Sequence, residues 1–378
     1  ANAAEFHARA AEQAVLRFAH DRVLAHVGRA LDLLGTMQPQ QAGLRWRLLC
    51  ARDVTLNLLA RRAEQAADLD ALAQLADLLD DDRKRAYVAW KRSARAMRIA
   101  DWATQERTAR EGMAFAAKAG DDNLRLHALR LLCSVLVQNG QVDLGRTLAL
   151  QGLAEARSLQ LRGAQGRLLN MLSIVAEMQD DLMGSLDYRE QSLVVARETG
   201  DRINEAITMS NMGVGWLNLG DLDGAQRDLD AALQMLRSNG DRTMESLTLC
   251  HLSTLALWQG DEERALALAR SALDSAIVAQ ARDMESVAGL RLGDAELNRG
   301  RLAAAREAYA QAQALAHKFD LPWQHDATAG LAQVALAEGE LGRLVDAEAH
   351  LVEALTHGEE RWIRHNRRSL ETALERLR

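Results

Sequence analysis

A 40-residue period runs through this chain, and it limits the possible folds more than any other feature, because a repeat of that size is one supersecondary unit stacked many times. In blocks of 40, turn residues fall at Gly140, Asp180, Gly220, Gly260 and Gly300, with the next one early, at Gly339. A second set, Gly120, Gly200 and Gly240, closes the blocks and is followed each time by an aspartate, Asp121, Asp201 and Asp241. Glycine ends a helix and aspartate caps the next one. In the block from 201, Ala206, Met209, Met212, Gly213, Trp216 and Leu217 recur at steps of three and four, which places them on one helical face. After the turn at Gly220, Leu222, Ala225, Leu229, Ala232, Leu233 and Leu236 repeat that spacing. Each unit is therefore two amphipathic helices and a tight turn, too small to bury its own apolar faces, so neighbouring units must stack.

The run Met212, Gly213, Trp216, Gly220, Ala225, Leu229, Ala232 resembles the tetratricopeptide repeat: a bulky residue beside a small one, an aromatic, a turn glycine, then small–large–small on the second helix. Leu252, Ser253, Gly260, Ala265, Ala272 and Leu292, Gly293, Gly300, Ala305, Tyr309, Ala312 repeat it, and Leu132, Cys133, Gly140, Gly145, Gly152 and Leu172, Ser173, Ser185, Ser192 are weaker copies. The usual repeat is about 34 residues, so these units have longer helices or links. The resemblance implies an all-α, right-handed superhelical solenoid. We expect about 18 or 19 helices in one unbroken stack: degenerate repeats over 1–118, regular ones over 119–358 with an irregularity near 340–345, and a capping helix over 359–378.

A narrower resemblance lies in the degenerate part. The stretches 9–14 (RAAEQA), 25–31 (AHVGRAL), 59–62 (LARR), 68–72 (DLDAL) and 75–78 (LADL) are similar to the helical region that follows the ATPase core in bacterial signalling proteins of the AAA or STAND type. It implies that the chain is the sensor region of a larger protein, with an ATPase and a nucleotide cyclase or DNA-binding output domain upstream in cis.

Composition fits one close-packed stack. Aromatics are 4% and prolines number two, while alanine and leucine dominate the periodic positions. No run approaches the roughly 18 apolar residues of a membrane span, and the N-terminus lacks the plan of a secretory signal; a cytoplasmic location is expected. Cys50, Cys133 and Cys250 are widely spaced on apolar faces, which argues for packing rather than a disulfide or metal site, although Cys250 can face the groove. A net charge of -7 offers no overall field for nucleic acid, and the basic runs at 83–98 and 361–368 read as solvated helix faces with acids nearby.

Chemistry leaves no trace. There is no phosphate-cradling loop, Gly213 and Gly215 lack the third glycine and preceding strand of a dinucleotide fingerprint, and the ten histidines include no metal-binding pair, with His357 and His365 beside a charged capping helix. No catalytic residue, metal or cofactor is expected, and no nucleotide hydrolysis or cyclase activity. Function then falls to the concave surface. In stacks of this kind the first helix of each unit lines the groove, and the resemblance implies that residues two before and two after the bulky core position project into it. One row is Arg130, Asn170, Ser210, Cys250, Leu290 and Ala329; the other is Ser134, Ile174, Val214, Thr254, Asp294 and Gln333; the last helical turn adds Asn218, Trp258 and Asn298. Lysines are missing from both rows, which disfavours a receptor for acidic C-termini. The expected ligand-binding residues are Arg130, Asn170, Asn218, Thr254, Trp258, Asp294 and Asn298, with Trp216 in the core. They suit a protein or peptide held by side-chain amides and an apolar anchor. The alternatives are a solenoid that senses a small molecule and a self-assembling scaffold.

Overall fold

The computed structural model describes residues 2–338 apart from 36–38, 60, 100, 280, 320 and 322. Among the described residues seventeen α-helices follow one another, the first sixteen in antiparallel pairs: α1 (Asn2–Leu16) with α2 (His20–Leu34), α3 (Ala42–Leu58) with α4 (Arg62–Leu78), α5 (Asp82–Arg98) with α6 (Trp102–Ala119), α7 (Asp122–Gln138) with α8 (Val142–Ser158), and α9 (Arg162–Met178) with α10 (Leu182–Thr199). Then come α11 (Arg202–Leu219) with α12 (Leu222–Asn239), α13 (Arg242–Trp258) with α14 (Glu262–Val278), α15 (Arg282–Asn298) with α16 (Leu302–Lys318), and α17 (Gln324–Glu338). No strand occurs among the described residues. The fold is a right-handed superhelical solenoid of tetratricopeptide-like hairpins. The capping helix expected over 359–378, the turn at Gly339 and the irregularity near 340–345 lie outside the described residues.

Local chemistry sets the helix ends. Gly140, Gly220, Gly260 and Gly300 at the turns within units, and Gly120, Gly200 and Gly240 between them, all take left-handed backbone, with φ between 64° and 79°. Asp180 holds the same turn at φ 59°, and Asp80 and Gln160 extend the series at φ 44° and 55°. Asp81, Asp101, Asp121, Asp181, Asp201, Asp221, Asp241 and Asp261 each accept the backbone N–H three residues on, which caps eight helices at about 1 kcal/mol apiece.

Small residues let the paired helices touch. Ala225, Ala232, Ala265, Ala272 and Ala305 are fully buried. A Cβ on Gly213 would stand 2.4 Å from Leu229 Cγ, and one on Gly215 would stand 2.7 Å from Leu186 Cδ2, so this pair of glycines serves packing. Each first helix, from α5 to α15, packs on its own partner, on the second helix before it and on the first helix of the next unit, whereas second helices do not pack comparably on one another. The first helices therefore run at the smaller radius and form the concave wall.

Curvature brings distant units together. His20 Nε2, at the start of α2, lies 2.8 Å from the Asn239 carbonyl at the end of α12, and a Cβ on Gly240 would stand 2.6 Å from that ring nitrogen. Arg98, at the end of α5, reaches Met244 Sδ on α13 at 3.9 Å. The N-terminal units thus come into direct contact with the end of α12 and the start of α13.

Candidate binding surface

The period reappears as lateral contacts along the inner wall. Asn211 Nδ2 donates to Asn170 Oδ1 at 3.2 Å, Asn218 Nδ2 donates to Glu177 Oε1 at 3.2 Å, and Arg167 Nη1 lies 3.4 Å from the His127 ring nitrogens; each pair joins residues 40 or 41 apart. The structure thus places Asn170 and Asn218 on one ladder over α9 and α11. Beside them Ile174 is 41% exposed and Trp258 55% exposed, so Trp258 is not consumed by packing on the next unit. Trp216 is half-buried against the α11–α12 core, and its Nε1 donates to Asp228 at 2.8 Å.

Other expected residues are differently employed. Thr254 is half-buried, with its hydroxyl donating to the Cys250 carbonyl at 3.2 Å. Asn298 is exposed, and its amide donates to the Asp294 carbonyl in its own helix at 2.9 Å. Asp294 accepts the Tyr309 hydroxyl at 2.7 Å and pairs with Arg291 at 2.8 Å, so it braces α15 against α16. In the row of Arg130, the members Ser210, Cys250, Leu290 and Ala329 are buried and do not line the groove. Helix–helix packing claims that row wherever its residues are small or apolar.

Arg130 is different. It has no hydrogen bond or ion pair to any described residue, and desolvation, with Arg167 and Arg98 close by, pulls its pKa down to about 10. Around it stand cations that the row positions did not include. Lys91 lies 4.9 Å over the Trp90 ring and 2.9 Å from Asp53; Trp90 stacks on His127 at 4.9 Å; and Arg167 closes the column with an ion pair to Asp201 at 3.1 Å. Burial, then Arg167 and Arg130, hold the His127 imidazole neutral with a pKa of about 3.

The basic run 83–98 splits in two. Arg83, Lys84, Arg85 and Arg92 pair with Asp121, Asp81, a trio of Asp77, Asp80 and Asp82, and Asp70, as a solvated face should. Lys91, Arg95 and Arg98 turn inward instead, which corrects the reading of that run as wholly solvated. A signal existed: counting back in forties from Asn218 and Trp258 through Gln138 arrives at Arg98.

The chain's reactive groups are quiet. The thiols of Cys50, Cys133 and Cys250 are free, and burial pushes each up to about 12, which keeps them protonated and poorly nucleophilic. Cys250 is buried rather than open to the groove. Among the described residues no group of three His, Cys, Asp or Glu could hold a metal ion, and no helix is long and apolar enough to cross a membrane.

Neither a protein-family model nor a curated protein matches the sequence. Solved structures do match the fold. A Rap protein complexed with competence and sporulation factor aligns over 100% of both chains with a TM-score of 0.61 and 13% identity. A chain of the APC/C hetero-tetramer Cut9–Hcn1 aligns over 93% of this chain and 59% of its own at TM-score 0.63 and 14% identity. A STAND protein with a tetratricopeptide repeat sensor from Pyrococcus horikoshii aligns over 95% of this chain and 55% of its own at TM-score 0.52 and 13% identity. The chain has the fold of a tetratricopeptide-repeat protein, and it spans little more than half the length of the last two.

Proposed function

We propose that this chain is a non-enzymatic, cytoplasmic binding module that holds a protein or peptide along its inner wall and acts as the sensor or regulatory part of a larger bacterial signalling protein, with an ATPase or output domain upstream. The observation that carries the reading is the ladder over α9 and α11, with the exposed Trp258 beyond it on α13. Side chains from these two first helices join laterally, while Ile174 and Trp258 stay open to a partner. Lateral joining makes the wall continuous, so a ligand longer than one unit meets a preformed surface and little ordering is needed on binding. The exposed Trp258 offers the aromatic anchor on which peptide recognition commonly depends. Likeness in fold to a Rap protein solved with a bound factor and to a STAND protein's repeat sensor supports this use.

Photo-crosslinking separates the wall from the outside. A photoreactive residue at Val214, on the inner wall of α11, should attach a protein or peptide partner in cells, and Trp258→Ala should weaken that attachment by about tenfold. The same probe at Arg227, exposed on the outer helix α12, should capture nothing specific. Specific capture from Arg227 alone would move the function to the convex face.

A further inference from the structure

Units far apart in the chain meet at their turns, and the meeting leaves a footprint. Asn239, Asp241 and Thr243, at the turn from α12 to α13, are buried to between 2% and 4% exposure. Their counterparts forty residues earlier, Thr199, Asp201 and Ile203, and eighty earlier, Leu159, Leu161 and Gly163, are exposed or half-buried. Polar side chains are shut in where apolar ones of the same register are not, so a covering surface buries them and not their own hydrophobicity. The cover comes from the first three units. His20 Nε2, at the start of α2, donates to the Asn239 carbonyl at 2.8 Å, and Arg98, at the end of α5, reaches Met244 Sδ at 3.9 Å. The Asp283 carboxylate, at the start of α15, attracts Arg98 and Arg62.

This contact can part without unpacking a helix pair. None of α1 to α5 packs along its length on α12 to α15, so only helix ends and turns meet. The closed form also carries a cost of its own. Asn239 Nδ2 and Thr243 Oγ1 are sealed from solvent without a hydrogen-bond partner among the described residues, and both regain water when the turns separate. The fit depends on a glycine. Gly240 takes left-handed backbone at φ 72°, as Gly120 and Gly200 do at 64° and 66°. A Cβ on Gly240 would stand 2.6 Å from His20 Nε2, whereas one on Gly120 or Gly200 would meet nothing within 4 Å. The backbone alone does not demand glycine, since Gln160 holds the same register at φ 55°.

We propose that this contact is a clasp: it ties the superhelix into a closed loop, and it must part before a bulky partner can be laid against the inner wall. The tie joins the start of α2 to the end of α12, and α9 and α11, with the side chains that join laterally over them, lie between the two joined points. A segment in the middle of a larger protein cannot enter a closed loop from the side. It enters when the loop opens. That consequence rests on the inner-wall reading above, whereas the clasp rests on the contacts alone. One hydrogen bond and an ionic attraction, set against two unpartnered polar groups, leave a balance that a partner's preference for the open form can shift.

The test uses the full chain with nitroxide labels on Arg29→Cys and Gln234→Cys, exposed on α2 and α12, and reads their separation by pulsed electron resonance. Gly240→Gln, which sets beside His20 the residue type already found at position 160, should lengthen that distance, and Gly200→Gln, which meets nothing, should not. Access is read on Val214→Cys, without the nitroxides, by its reaction with N-ethylmaleimide and with a maleimide carried on streptavidin; the parent chain, whose three thiols are free, sets the background. Gly240→Gln should raise the rate with the streptavidin-borne reagent about tenfold and change the rate with N-ethylmaleimide little, as expected when the open population grows by the loss of one hydrogen bond and its packing. His20→Ala, which removes the donor and leaves the turn intact, should act in the same direction and serves if Gly240→Gln does not fold. The proposal is overturned if neither variant lengthens the distance, if Gly200→Gln lengthens it as much, or if the distance grows and the bulky reagent gains nothing over the small one. If both expected results hold and the photoreactive residue at Val214 captures nothing in cells, the clasp stands and the binding role fails.

Discussion

Arg291 on α15 and Arg130 on α7 occupy neighbouring register positions of the same inner wall, and they have opposite electrostatic fates. Arg291 finds Asp294 one helical turn away, and Asp294 in turn accepts the Tyr309 hydroxyl. Attraction to Asp294 outweighs desolvation, so the Arg291 pKa is raised. Arg130 has neither partner, and desolvation together with Arg167 and Arg98 lowers its pKa to about 10. A cation closed off within its own unit is part of the scaffold. One without such a partner carries a desolvation cost that its own unit does not offset.

That contrast can be broken at several points. The largest effect is expected at Tyr309, whose ring fills the space left by Gly293 and Gly330, where a Cβ would stand 2.5 and 2.4 Å from Tyr309 Cε1. Tyr309→Ala should cost about 3–5 kcal/mol in urea unfolding; a loss under about 1 kcal/mol would show that the α15–α16 brace is not closed. Asp294→Ala should cost about 2–3 kcal/mol, since it leaves Arg291 and the Tyr309 hydroxyl without their acceptor. Adding Arg291→Met should recover most of that loss, and strict additivity of the two changes would deny their coupling.

On the other side of the comparison, His127 is neutral in the fold, with a pKa of about 3 against 6.5 for the free side chain. Its contribution is fully present above pH 6.5 and drains as the pH falls from there toward 3, by at most about 1.4 kcal/mol per pH unit. His127→Gln should therefore flatten the loss of stability between neutral and mildly acidic pH, and an unchanged slope would mean that the ring is already charged in the fold. Arg130→Met should leave the free chain about 1 kcal/mol more stable, a sign that calorimetry can check. Trp258→Ala should change stability least, by under about 0.5 kcal/mol, because the ring is mostly exposed.

Much of the fold is legible in the letters because its signals are local. Gly140, Gly220, Gly260 and Gly300 mark their turns because few residues take left-handed backbone as readily. Ala225, Leu229 and Ala232 mark the register because close helix approach needs small residues beside large ones. The site is less legible. Counting along the repeat places Asn170 and Asn218 on first helices, where the structure shows lateral bonds to Asn211 and Glu177, but it cannot tell that Leu290 and Cys250 in the row of Arg130 are packed away, or that Asp294 is held by Tyr309. Those outcomes depend on which neighbour each side chain meets across the unit boundary.

The sequence by itself determined the helices, their caps, the turns every 20 residues and the pairing of helices into units, all of which follow from contacts within a few dozen residues. Only the tertiary structure decided which charges would be left unpaired. Small rotations between units accumulate along a solenoid until His20 meets Asn239 and Arg98 meets Met244, pairs separated by 219 and 146 residues. Charge energies depend on separation and local polarity, and both are products of that accumulated curvature rather than of any one repeat.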